Sequence, residues 1–467
     1  MYPAPHLPAP PAVHEGDSFI RGCPFRPPVG RLLRRRPPGR RAPRLRSRCV
    51  TGTADASPVK RRAGSRRWFI TGLGIGQICS WGSLYYSFPL IAEQMGADLG
   101  WSKPELYGAA SLGLLLAAIT AYPVGTAIDR GQGRSVMAGG AMLAGLLLLA
   151  WSQVEHLLVF YVLLGGIGVV QAATLYEPAF AVVARRMGAA NARSGITALT
   201  LWGGFASTVF IPFVQLLLDH LGWRGALVVL GVVNLVICAG LYLAVIHPSA
   251  DAAPPARRSD DPSPLAGRYA IAWAARRPTF WALAVAFTAY TATFSAFLFH
   301  LYPLLIERGF DIVTVVATMT IIGPAQVAGR IGIWMFARHT SVRAVGAVTV
   351  LGFPAAFIAL AVLPPSFAVV AVAAAVYGAS NGIMTIVRGL AVPEMLTPEA
   401  YGAINGALTA PSTIAKALAP AGAAMIWAAA GSYDAVLMAI VTGSLIMVAG
   451  FWLAVLLSMR SHPAKAS

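Results

Sequence analysis

The stretch FWALAVAFTAYTATFSAFLFHLYPLLI, Phe280 to Ile306, contains no Asp, Glu, Lys or Arg. An α-helix needs about 20 apolar residues to cross the roughly 30 Å of bilayer hydrocarbon, and this stretch exceeds that. Comparable runs recur on both sides of it. They lie near Trp68 to Ile91, Glu105 to Ile128, Val136 to Trp151, Leu157 to Ala184, Ile196 to Leu218, Ala226 to Ile246, Ile312 to Ala337, Val345 to Leu363, Phe367 to Val392, Gly402 to Ala428 and Ala435 to Leu457. Twelve membrane-spanning helices are therefore expected. Helices are the reading because unpaired backbone amides are costly in lipid, and because the runs lack the alternation of barrel strands.

Composition points the same way. Of 467 residues, 57% are apolar and 12% charged, with a mean hydropathy of +0.66; an ordinary soluble chain carries roughly a quarter charged residues. A soluble globular enzyme is excluded. The net charge of +18 suggests nucleic acid until it is located. Met1 to Arg67 holds 16 Lys/Arg against three acids (Glu15, Asp17, Asp55), a net +13, and the rest of the chain holds 20 against 15, a net +5. That basic, proline-rich segment has no apolar stretch of a secretory signal, no aromatics interleaved for base stacking, and prolines that oppose the amphipathic helix of a transit peptide. It reads as a disordered, solvated extension, and no nucleic-acid partner is expected. The four cysteines, Cys23, Cys49, Cys79 and Cys238, form neither a disulfide framework nor a metal spacing.

Orientation follows from the basic residues of alternating loops. One side collects the tail, Arg130, Arg134, Arg185, Arg186, Arg193, Arg257, Arg258, Arg268, Arg276, Arg277, Arg338, Arg343, Arg460 and Lys465; the other has Lys103, Arg224 and Arg308. Even without the tail the ratio is 14 to 3, so both termini are expected in the cytoplasm of a multi-pass protein of the cell membrane. The polar stretch His247 to Pro278 splits the spans six and six. The expected organisation is a tail at 1–67, a six-helix half at 68–246, a cytoplasmic linker at 247–278, a second half at 279–457 and a short tail at 458–467. SFPLIAEQMG, ending at Gly96, and LYPLLIERG, ending at Gly309, align so that Pro89 matches Pro303, Glu93 matches Glu307 and Tyr86 matches His300. Repeats of this kind mark transporters that rock one half against the other around a site near the midplane.

The loop between the second and third runs reads GTAIDRGQGRS, Gly125 to Ser135. It resembles the signature loop of the major facilitator superfamily, G-x-x-x-D-R-x-G-R-R, with Ser135 in place of the last basic residue. Its chemistry is intelligible by itself: Gly125 permits close helix approach, Gly131 and Gly133 make the turn, and Asp129 with Arg130 and Arg134 can pair across a cytoplasmic gap. These residues are read as gating the cytoplasmic side. A degenerate copy follows the eighth run, where Ala337 stands before Arg338 in place of the Asp. Within the superfamily the chain is similar to the oxalate/formate antiporter and monocarboxylate porter branch, through LGWRGAL ending at Leu227, PAFAVVARR ending at Arg186, and FHLYPLLIERG. The resemblance implies an all-α fold of two six-helix halves and transport of organic anions.

Four ionisable residues fall well inside expected spans: Glu177, Arg330, Arg388 and Lys416. Burying a charge at the bilayer centre costs about 2.5 to 3.5 kcal/mol even on the gentler scales, so each must meet a partner, water or substrate. In the branch it resembles, an arginine of span 8 and, in oxalate-type members, a lysine of span 11 bind carboxylates, which implies that role for Arg330 and Lys416. A guanidinium matches a carboxylate through paired hydrogen bonds. Arg388 reads instead as snorkelling to the cytoplasmic surface. The monocarboxylate porters place an aspartate four residues before the span 8 arginine; here Gln326 stands there and cannot titrate. Glu177 is then the candidate proton carrier, or the partner of a cytoplasmic arginine. Tyr86 and His300, toward the outer ends of spans 1 and 7, are expected to cap a ligand cavity from both halves.

No phosphate loop, HExxH motif or cofactor fingerprint is present, so neither a resident cofactor or metal nor enzymatic chemistry is expected. The expectation is a monomeric secondary transporter of small organic anions, mono- or dicarboxylates, as symporter or antiporter coupled to protons or a counter-anion. Its other partner is the lipid bilayer. The alternatives are efflux of hydrophobic or drug-like compounds and, from a different class, a non-transporting membrane sensor with the basic tail as its output.

Overall fold

The computed structural model describes residues 58–250, 264–336, 340–397 and 401–461, and these form helices joined by short turns. In chain order they are α1 (Pro58–Trp81), α2 (Phe88–Leu99), α3 (Lys103–Ala127), α4 (Gly133–Trp151), α5 (Leu157–Thr174), α6 (Tyr176–Met187), α7 (Ala189–Gly204), α8 (Ala206–Val232) and α9 (Ala239–Val245). After these come α10 (Pro264–Ala275), α11 (Pro278–Glu307), α12 (Ile312–Phe336), α13 (Val342–Thr349), α14 (Gly352–Val362), α15 (Phe367–Met395), α16 (Tyr401–Ala430) and α17 (Tyr433–Ser461).

Nine helical segments among the described residues are long and apolar enough to cross a membrane. Two of them, Lys103–Trp151 with 49 residues and Ser194–Val245 with 52, would be about 75 Å long if straight, far beyond one crossing. Each is broken at a left-handed glycine, Gly131 at φ 89° and Gly222 at φ 65°, a conformation that side chains with a Cβ resist. The stretch from Trp68 to Ile91 is interrupted by a π turn at Gly82–Tyr86, which leads α1 into α2.

Two expected boundaries are corrected. The tail was assigned as disordered through Arg67, yet α1 begins at Pro58: proline suits the first turn of a helix, and the Lys, Arg and Ala that follow are good helix formers. Residues 1–57 lie outside the described residues. The linker read at 247–278 contains α10, because the Ala-rich sequence from Pro264 to Ala275 is a helix former placed between polar segments; residues 251–263 lie outside the described residues.

The helices before residue 250 are held together by buried polar contacts. Gln77 Nε2 donates to the Thr174 carbonyl (2.7 Å) and lies 3.4 Å from Tyr242 Oη, Ser80 Oγ lies 3.0 Å from Tyr242 Oη, and Asn234 Nδ2 donates to Ser83 Oγ (2.7 Å). Gln77 and Ser80 of α1 and Ser83 of the π turn that follows recur at a spacing that puts them on one face, opposite Asn234 and Tyr242. Interhelical hydrogen bonds of this kind join helices whose apolar surfaces gain little from each other in lipid. Gln77 is therefore a structural residue. Between the later helices, Gly382 of α15 presses on the Gln326 carbonyl of α12 with no room for a Cβ. That approach carries the Gly382 carbonyl to Arg330.

Candidate functional site

Arg330, on α12, is half-buried and held by two backbone carbonyls: Nε donates to Gly382 of α15 (3.3 Å) and Nη1 to Thr200 of α7 (3.1 Å). The second bond joins helices from either side of the 247–278 segment. Tyr86, Tyr176 and Tyr290 lie within electrostatic range of the guanidinium. Lys416, on α16, sits over the Tyr85 ring, with Nζ 5.4 Å from its centroid, and has no hydrogen-bond acceptor among the described residues. Arg388, on α15, stands 5.6 Å from the centroids of both Phe287 and Tyr290. It also makes no hydrogen bond among the described residues, and it lies within electrostatic range of Lys416. The three basic side chains therefore gather on the helices that follow residue 264.

Aromatic rings face them. Trp81 packs against Tyr85 (5.2 Å between centroids), Tyr86 (6.2 Å) and Tyr176 (4.9 Å), and Tyr85 packs edge-on to Phe299 (5.0 Å). Within this group Trp81 Nε1 is buried without a hydrogen-bond partner among the described residues, the Tyr85 hydroxyl faces Ser295, and Tyr377 Oη, against Phe297, is likewise buried and unpartnered. Orphaned polar groups are unusual in a folded interior, where an unmade hydrogen bond costs about 1 to 3 kcal/mol. Glu177 is exposed in the first turn of α6, just after the break at Leu175, and lies within electrostatic range of Lys416. Gln326 is half-buried one turn before Arg330 on the same helix.

Tyr86 and His300, expected to cap one cavity from both halves, have different surroundings. Tyr86 belongs to the Trp81 cluster. His300 is fully buried and both its ring nitrogens are used: Nε2 donates to the Pro420 carbonyl (2.9 Å), which fixes Nδ1 as the acceptor from Tyr433 Oη (3.0 Å). Its ring stacks on Tyr107 at 4.0 Å. Nothing of His300 is left for a ligand, because it seals one end of the bundle. The repeat alignment gave the height of His300 but not its rotation or its neighbours.

That seal is extensive. Tyr107 Oη donates to the Phe299 carbonyl (3.1 Å) and the Ala421 amide donates to Ser111 Oγ (3.0 Å). Lys103 pairs with Glu93 (2.8 Å) and lies 4.9 Å from the Trp427 ring centroid and 5.2 Å from that of Tyr433. Glu307, the repeat mate of Glu93, accepts from Trp427 Nε1 (2.7 Å) and the Tyr433 amide (2.6 Å). The two glutamates thus sit on either side of one aromatic pair. Sequence reading noted their match but had no signal for Trp427 or Tyr433.

At the other end, Asp129 and Arg130 are exposed, and the Asp129 carbonyl accepts from the Arg185 guanidinium. Arg134 Nε is buried and has no hydrogen-bond partner among the described residues. The close approach expected at Gly125 is absent: a Cβ there would meet nothing within 4 Å. The tight glycine in this loop is Gly133, whose Cβ would come 2.7 Å from Val182 Cγ2. Arg338 lies outside the described residues. The neighbouring Arg343 bonds the Glu394 carbonyl (2.8 Å), and the Glu394 carboxylate accepts from the Val342 amide (2.9 Å), a partnership across distant segments that sequence reading missed.

The comparisons with known proteins bear on the same helices. The sequence profile of the Major Facilitator Superfamily matches residues 73–420. Monocarboxylate transporter 11 of Homo sapiens is 31% identical over 272 residues, 56% of this chain and 53% of that one; monocarboxylate transporter 13 of Bos taurus is 32% identical over 181 residues, 37% and 39%. The chain thus spans about half the length of the human relative and less of the bovine one. Among solved structures, a bacterial homologue of the human lysosomal transporter Spinster, inward-facing and unoccupied, covers 86% of this chain and 99% of its own at 15% identity with a TM-score of 0.64. The nucleoside transporter NupG covers 84% and 98% at 14% identity with a TM-score of 0.65. These likenesses give the fold. With the profile spanning most of the helical chain, the protein belongs to the Major Facilitator Superfamily of membrane transporters, and its sequence is similar to the monocarboxylate transporters within it.

Proposed function

We propose that the protein moves small organic anions, carboxylates above all, across the cell membrane by alternating access. Twelve spans would arise from the nine apolar segments if the two long ones each cross twice and the Trp68 to Ile91 stretch crosses once, in two six-helix halves with both termini cytoplasmic. The Lys103 end would then face outward. The observation that carries the reading is Lys416: an ammonium on an aromatic face, without an acceptor among the described residues and within electrostatic range of Arg388, in a protein whose other intramembrane arginine, Arg330, gives its two described hydrogen bonds to neutral carbonyls. Carboxylate cargo would supply the negative charge these cations lack, and the unpartnered Trp81 indole N–H offers a further hydrogen bond. Glu177 would serve as the titratable or gating group opposite Lys416, and Tyr86 and Gln326 would line the site. The similarity to monocarboxylate transporters supports the same class of cargo.

Counterflow of labelled carboxylates into proteoliposomes tests this. Arg330→Ala and Lys416→Ala are each expected to lower uptake by about 10- to 100-fold, the worth of a charge-assisted hydrogen bond of about 1.5 to 3 kcal/mol. Wild-type uptake by both correctly inserted variants would refute the anion site. Uptake of lipophilic cations or neutral drugs in place of carboxylates would favour efflux.

A further inference from the structure

The helix that carries Trp81 changes its winding immediately after that residue. Gly82 to Tyr86 form a π turn, closed by the Ser87 amide on the Gly82 carbonyl (3.0 Å), and turns of this kind recur at functional sites. The turn presses on α8 so closely that a Cβ at Gly82 would run into the Phe210 ring. It gathers the rings of Tyr85 and Tyr86 beside Trp81, at 5.2 and 6.2 Å. A second break, at Leu175, starts α6 with Tyr176, whose ring lies 4.9 Å from Trp81 and stacks on Phe180 at 5.1 Å. Trp81, Tyr86, Tyr176 and Phe180 are each only half-buried.

These rings meet Arg330 at one turn of α7. The Tyr176 hydroxyl occupies the space that a Cβ on Gly203 would need, and a Cβ on Gly204 would lie 4.0 Å from Arg330 Nη1, which itself donates to the Thr200 carbonyl (3.1 Å). Tyr86 and Tyr176 are both within electrostatic range of the guanidinium. Among the described residues Arg330 bonds through Nε and Nη1, so the two donors of Nη2 remain for another acceptor. Trp81 Nε1 adds a donor without a partner among the described residues. Rings that only fill a core are buried; these keep part of their surface open beside a cation with donors to spare.

We infer that Trp81, Tyr86 and Tyr176 form the specificity wall of the Arg330 site, and that the preferred cargo is a planar aromatic carboxylate, with its carboxylate on Arg330 and its ring against the wall. The inference rests on the anion-transport reading and narrows it to a substrate class. A guanidinium takes a carboxylate in the plane of its fork. Aromatic pairs gain about two- to ten-fold in affinity beyond buried area, through edge and face contacts. The wall offers both, for Trp81 is tilted at 52° to Tyr176 and at 39° to Tyr86. A saturated ring of the same size buries the same area without that gain.

The test compares phenylacetate with cyclohexylacetate, alike in charge and reach but not in aromaticity, in proteoliposomes containing the full chain. The unaltered protein is expected to favour phenylacetate about two- to ten-fold in kcat/KM. Tyr176→Leu, which keeps apolar bulk and removes the ring, is expected to bring that ratio toward one, and Tyr176→Phe to retain it. A tyrosine that only packs would change the uptake of both compounds together; an unchanged ratio in Tyr176→Leu overturns the wall. If the leucine variant inserts poorly, the unaltered protein and Tyr176→Phe are compared by the thermal stabilisation that each compound gives, and equal stabilisation by the two overturns the inference. Equal uptake of the two compounds, or uptake of short aliphatic carboxylates alone, defeats it while leaving the anion-transport reading intact. Failure to transport any carboxylate defeats both.

Discussion

At the Lys103 end, helices from before residue 250 meet helices from after residue 264 through aromatic stacking and polar groups that all have partners: Tyr107 on His300, Lys103 over Trp427 and Tyr433, Ser111 to the Ala421 amide. At the Gly125 end, the described ionic contacts stay within one set of helices, and the bond between the sets, Arg330 to the Thr200 carbonyl, lies further in. Arg185 bonds the Asp129 carbonyl within the earlier helices, and Arg343 bonds Glu394 within the later ones. The charges differ accordingly, for His300 is fully buried while Asp129 and Arg130 at the other end are exposed. One end is a dry seal and the other a set of charges near water. A dry seal makes each hydrogen bond costly to lose, whereas exposed ion pairs are worth about 0 to 1 kcal/mol. The alternating access proposed above would require that the sealed end open. The strength of its clasp should therefore set how often it does.

The largest change is expected from His300→Leu, which keeps the bulk but leaves Tyr433 Oη without its described partner. The cost is about 1 to 3 kcal/mol of the sealed state. Distance measurements between spin labels placed on the two sets of helices at this end should show an open population absent from the unaltered protein, and an unchanged distribution would mean that His300 is not part of the seal. Lys103→Ala removes a pair with Glu93 whose side chains are 18% and 29% exposed, together with two cation–π contacts. It should weaken the same seal by about 1 kcal/mol, after discounting the pair for solvent screening, and the same labels would read the smaller shift.

The smallest stability effects separate two glycines of one loop. Gly133→Ala forces Val182 to move and should cost about 1 kcal/mol, the price of modest overpacking, read as a lowered Tm in detergent. Gly125→Ala meets open space in this conformation and should leave Tm nearly unchanged. If Gly125 serves the opposite state, in which the Gly125 end closes, the same variant should still slow transport. Equal effects of the two substitutions on Tm would contradict the geometry described here.

Much of this was legible in the sequence because lipid imposes simple rules. Run length, glycine turns and the distribution of arginine are one-dimensional signals, and they led to helices, their approximate limits and the superfamily loop. Arg330 and Lys416 were legible for the same reason, since a charge inside an apolar run is conspicuous wherever it points. His300 was misread because its partners depend on rotation about a helix and on what approaches from elsewhere, and the ring partners of Arg388 were out of reach for the same reason. Neither Tyr433, 133 residues beyond His300, nor Phe287, on another helix from Arg388, announces itself in the sequence. Glu394 and Trp427 were missed on the same grounds.

The sequence by itself determined that this chain is helical, crosses a membrane and carries positive charge where apolar side chains should be, because hydrophobic periodicity and the energetic cost of intramembrane charge are properties of local composition. Only the tertiary structure decided which of those charges face each other, which histidine is consumed in a seal, and which end is shut. Those outcomes depend on side chains brought together from helices far apart in the chain, where a rotation of one helix by a single residue, about 100°, exchanges one set of partners for another.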